Sequence, residues 1–71
     1  MSHAPQTLST EHSGRRFLIV HDSTAGFYLY VYEGAKCTHD YLQDSLDAAQ
    51  EFARDEFGVP VQSWSDEPPA N

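Results

Sequence analysis

The stretch G-F-Y-L-Y-V-Y-E-G, Gly26 to Gly34, alternates with period two, and both of its phases are apolar. Phe27, Leu29 and Val31 fall on one side, and Tyr28, Tyr30 and Tyr32 on the other. Side chains at i and i+2 share a face of a strand, so this segment presents grease to two sides of a sheet. Such a strand needs a cover on one face and leaves a question about the second.

The preceding run R-F-L-I-V-H-D is β-branched and aromatic and closes in Asp22-Ser23-Thr24-Ala25-Gly26, a cluster of turn formers. It reads as strand one, Arg16 to Asp22, joined to the Tyr stretch, strand two, as a hairpin. Gly26 is the residue expected to take a positive φ. Leu18 and Val20 point one way in strand one, and Phe17, Ile19 and His21 the other.

The cover for one face is a helix. Asp44 or Ser45 can cap its first free N–H groups, and Asp47 places negative charge in the first turn, where the macrodipole favours it. L-D-A-A-Q-E-F-A-R-D-E-F then sets Leu46, Ala49, Phe52, Ala53 and Phe57 on one stripe. Gly58 ends the helix and Pro60 prevents its resumption, giving a span of Ser45 to Phe57. Val59 to Trp64 supplies a short third strand. Residues 1–14 contain two His, three Ser, two Thr and a Pro without hydrophobic periodicity and read as a flexible tail. The segment after Ser65, with its Pro pair, reads as a second one. The expectation is a single α+β domain over residues 15–65, β-β-α-β, flanked by tails 1–14 and 66–71. Its three-stranded sheet has the order 2-1-3, preferred over 1-2-3, with the helix on the face of Phe27, Leu29 and Val31.

The run D-Y-L-Q-D-S-L-D-A-A-Q-E-F-A-R-D-E-F-G-V with the later Trp64 resembles a pattern of small bacterial β-β-α-β proteins of uncharacterised function. The resemblance covers Asp40 to Trp64 and rests on L-Q-D-S-L, A-x-x-x-A, F-G-V and the late Trp. It implies the fold and brings no activity, cofactor or site residue.

Composition narrows the function classes. Eleven acidic side chains against four basic ones give a formal charge of -7, which repels phosphate backbones and anionic membranes, so nucleic acid is an unfavourable partner. The lone Cys37 forms no intramolecular disulfide, the first residues lack an apolar signal-peptide core, and no window is apolar enough to span a bilayer. A cytoplasmic location without membrane contact is the expectation.

K-C-T-H-D, Lys36 to Asp40, gathers a thiol, an imidazole and a carboxylate in what reads as the connection to the helix. A structural zinc site asks for four ligands in spaced pairs, and there is no second Cys. A Cys37–His39 nucleophile pair oriented by Asp40 would further need a cleft and an oxyanion hole. Phosphate-loop and hydrolase motifs are missing from the sequence. No catalytic, metal or cofactor residue is assigned, and the chain is expected not to be an enzyme. Tyr28, Tyr30 and Tyr32 are the candidate binding residues, because Tyr joins apolar area to a polar tip. The expectation is a protein-binding module or homodimer using that face. The alternative is a small acidic inhibitor that mimics nucleic acid toward a basic partner.

Overall fold

The computed structural model describes residues 7–66. Four long strands follow one another, β1 (Thr7–His12), β2 (Arg15–Asp22), β3 (Gly26–Glu33) and β4 (Lys36–Gln43). Helix α1 (Leu46–Phe57), a single 3-10 turn (Val61–Ser63) and the two-residue β5 (Ser65–Asp66) complete the order. The sheet is antiparallel, five-stranded, in the order β4-β3-β2-β1-β5. No helix among the described residues is long and apolar enough to cross a membrane.

The three-stranded sheet of order 2-1-3 is therefore corrected to five strands, and the β-β-α-β order with it. The central β2–β3 hairpin and the helix lie where the sequence puts them. Two further hairpins extend the sheet on either side. Thr7–His12, assigned to the tail 1–14, pairs with β2 from Thr7↔Val20 to His12↔Arg15. The two residues between the strands, Ser13 at φ 53 and Gly14 at φ 77, both adopt positive φ, as a type I′ hairpin turn requires. K-C-T-H-D, read as a loop, begins β4, and Gly34 at φ 63 opens the two-residue turn that leads into it. Both missed strands are largely polar, so hydrophobicity does not signal them. Their backbones are held by the ladder to an apolar neighbour. Residues 1–6 and 67–71 lie outside the described residues, while Asp66 is in β5.

Val59 to Trp64 is not a strand. Val59 is buried, Pro60 breaks the ladder, and Ser63 closes a turn by donating its N–H and Oγ to the Pro60 carbonyl (3.1 and 2.8 Å). Only Ser65 and Asp66 pair, antiparallel to β1. Thus β1 takes the place beside β2 that was given to a third strand.

The helix obeys its local signals. Ser45 is extended and its Oγ accepts from the Ala48 N–H at 3.1 Å. Gly58, at φ 76, sends its N–H to carbonyls of the last turn, the αL exit that glycine makes cheaply. Ala49 and Ala53 are fully buried against the sheet, and their small side chains bring the helix backbone close. Phe17, Ile19, Leu29, Val31 and Val59 fill the space between the layers, with Leu8 at the β1 side. Phe27, Tyr41, Leu46, Phe52, Phe57 and Trp64 pack around them. Phe17 meets Phe57 at 5.4 Å and Trp64 edge-on at 6.5 Å between ring centroids. Burying one sheet face in this way leaves the other uncovered by the described residues.

Candidate functional site: the open face of the sheet

Because the register is fixed, the face turned away from α1 can be read row by row. The first row is Leu42, Tyr28, Val20 and Thr7, and the second is Asp40, Tyr30, Leu18 and Ser9. The third is Cys37, Tyr32, Arg16 and Glu11. Tyr28, Tyr30 and Tyr32 thus form a column down β3, flanked by Leu18 and Val20 on β2 and by Leu42 on β4. Neighbours on one sheet face stand about 5 Å apart across strands, which lets their side chains lie against each other. The Tyr28 and Tyr30 rings stack at 5.8 Å with planes 16° apart.

The three tyrosines and both flanking β2 residues are half-buried by one another. Leu42 is 51 % exposed. An exposed leucine beside an aromatic column makes the apolar area contiguous, which is what separates a contact surface from scattered surface hydrophobes. The Tyr30 hydroxyl has its pKa pushed up, first by desolvation and then by Tyr28, Asp40, Tyr32 and Cys37 nearby. It therefore stays protonated through neutral pH and can donate a hydrogen bond to whatever meets the face.

Leu42, Asp40 and Cys37 belong to this face and were missed, because Lys36–Asp40 reads as a connection. The signal for them was the Gly34-Ala35 pair directly after an alternating strand, a two-residue hairpin loop. The hairpin would have set β4 in register with the tyrosines.

The K-C-T-H-D groups do not converge. Cys37 stands opposite Tyr32 on the open face, whereas His39 stands opposite Val31 on the helix side. The extra residue between them, Thr38, forms a bulge, and its hydroxyl donates to the Val31 carbonyl at 3.2 Å. The Cys37 thiol points its proton at the His39 backbone carbonyl (3.4 Å) and not at the imidazole. The His39 ring stacks on Tyr41 at 6.0 Å and meets the Phe57 edge at 5.7 Å. No group of three or more His, Cys, Asp or Glu that could hold a metal ion occurs among the described residues.

A shallow hollow of about 270 Å³ lies at the end of the sheet, lined by Glu11, Gly14, Arg15, Arg16 and Gly34. Arg15 is engaged there structurally: it pairs with Glu33 at 3.3 Å and lies over the Phe57 ring at 5.6 Å. Its position is explained by packing, without a ligand.

Comparison with known proteins adds nothing to this geometry: no family model, no curated protein and no solved structure matches the chain.

Proposed function

We propose that this chain is a non-enzymatic protein-binding module whose contact surface is the open sheet face centred on Tyr30. One observation carries the reading: a contiguous column of three tyrosines, edged by Leu18, Val20 and the exposed Leu42, lies on a face that no described part of the chain covers. Interfaces favour this composition, since tyrosine supplies large rigid area at small entropic cost, with a hydroxyl left over for orientation. A single-stranded nucleic acid would also stack on such a column, but the net charge of -7 opposes it. The partner is a protein.

A photoreactive benzoylphenylalanine in place of Tyr30 tests this. Irradiation in cells is expected to give discrete protein adducts, and the same group at Glu51, on the outer surface of α1, is expected to give none. Equal labelling from the two positions, or none from Tyr30, defeats the reading.

A second reading has its own support in the helix, whose outer surface exposes Asp47, Glu51, Asp55 and Glu56. An acidic inhibitor would meet a basic protein through that surface. Adducts from Glu51 alone, and association that weakens steeply with added salt, would favour it.

A further inference from the structure

The layout of the open face suggests which protein covers it. We infer that the occupant is a second copy of this chain, packed face to face about a two-fold axis running along β3. The two tyrosine columns then lie against each other. This rests on the proposed role of the Tyr face and adds the identity of the partner.

Three properties of the face favour self-pairing. The first is the placement of its charges. Arg16 on β2 and Asp40 on β4 flank the tyrosine column on opposite sides. A two-fold axis along β3 superposes the β2 side of one copy on the β4 side of the other. The Arg16 backbone then lies one row, about 7 Å along the strand, from the partner's Asp40, across sheets about 10 Å apart. An arginine and an aspartate side chain together span that gap, and symmetry makes the pair twice. In the single chain Arg16 stands directly across from Glu11. The intermolecular pairing therefore adds a second carboxylate to a cation that already has one acidic neighbour.

The second property is where the largest group of acidic side chains lies. Asp47, Glu51, Asp55 and Glu56 belong to α1, on the far side of the sheet. In a helix–sheet–sheet–helix stack with layers about 10 Å apart, the two acidic surfaces are on the order of 30 Å apart. That is several Debye lengths at physiological salt, so the charge on the two helices opposes dimerisation little.

The third is size. Four strands about 4.8 Å apart and some eight residues long outline roughly 500 Å² per copy. Two copies bury on the order of 1,000 Å², at the threshold for specific association and in the size class of weak, reversible interfaces.

Sedimentation equilibrium of the full chain between about 1 and 200 μM covers the range of weak, reversible association. The expected result is a monomer–dimer equilibrium that Tyr30→Lys abolishes while circular dichroism stays that of the folded protein. Leu42→Lys serves the same purpose at a side chain already 51 % exposed, so its folding is not in question. Arg16→Asp and Asp40→Arg should each weaken the dimer about tenfold, and the double variant should recover most of the loss because the pair is restored with its signs exchanged. A wild-type chain that stays monomeric throughout overturns the inference, as does a dimer indifferent to Leu42→Lys. A double variant no tighter than the singles overturns the two-fold arrangement. Adducts from position 30 to a protein of another mass would overturn the second copy while leaving the protein-binding role intact. No adducts from position 30 would remove both.

Discussion

Leu29 and Leu42 are the same side chain on adjacent strands, turned to opposite sides of one sheet, and deleting the same three carbons from each tests the layer assignment. Leu29 is fully buried, pairs in register between Ile19 and Tyr41, and lies in the layer that Ala49 and Ala53 close from above. Leu29→Ala removes its transfer free energy and leaves a void that the flanking β-ladders resist filling, so the cost should fall at about 3 to 5 kcal/mol. Domains of this length are stable by roughly 4 to 10 kcal/mol, so the variant should retain little of its folding free energy. Leu42, half exposed on an edge strand, has no enclosing wall, and Leu42→Ala should cost less than about 1 kcal/mol. Urea denaturation followed by circular dichroism at about 1 μM protein measures both without interference from association. Should Leu29→Ala not fold, Leu29→Met conserves volume and should lose under about 1.5 kcal/mol. Equal losses for the two alanine variants, or a larger loss for Leu42, would refute the assignment of faces on which the site rests.

Gly26 sits at φ +127, and a Cβ built there would lie 2.5 Å from the Gln43 carbonyl oxygen. Gly26→Ala is therefore expected to cost more than about 2 kcal/mol, read as a lowered urea midpoint, whereas Gly14→Ala meets no neighbouring atom and should lose only its backbone strain. Trp64 Nε1 is buried without a hydrogen-bond partner among the described residues, so Trp64→Phe removes an orphan donor while keeping most of the ring, and thermal denaturation should show a change within about 1 kcal/mol of wild type. Asp22 accepts from the Thr24 hydroxyl and N–H and from the Ala25 N–H (2.7, 2.9 and 3.1 Å), led by the Thr24 hydroxyl, and these bonds lower its pKa. A depressed folded pKa gives stability that is complete above the unfolded value of about 3.9 and is lost as pH falls through the folded one. Carboxyl titration by NMR should find Asp22 below the ordinary aspartate value, and Asp22→Asn should remove that part of the acid dependence.

The parts of the fold that are legible from sequence are those whose signal is local and apolar. Alternation in β2 and β3 sets their pairing and faces, and Ser45, the Ala49–Ala53 stripe and Gly58 set the helix to within a residue of its start. The missing strands are of a different kind. Thr7–His12 has a single core side chain, Leu8, and β4 turns Tyr41 inward amid Lys36, Thr38 and Asp40, so neither shows amphipathic periodicity. Their cue lay in the turns, Ser13-Gly14 and Gly34-Ala35, whose length permits only a tight hairpin. The tyrosine column was readable for the same reason as β3, while its neighbours Leu42, Asp40 and Cys37 depended on a strand that hydrophobicity does not reveal. Val59 to Trp64 failed in the opposite direction: its apolar residues serve the helix-side core from a turn rather than from a ladder.

The two lateral ends of the sheet are closed by different means. At β1 the ladder continues for only two residues of β5 before the described chain ends, and at β4 the extra residue Thr38 interrupts the spacing beside Val31 and Tyr32. Open margins of this kind are where strands of other molecules add without limit, and a short final strand and a kinked one both obstruct such growth. Self-association that uses the broad surface instead has a built-in stopping point, since two copies cover each other and present no further template. The bulge at Thr38 is thereby placed to obstruct strand addition at the β4 edge.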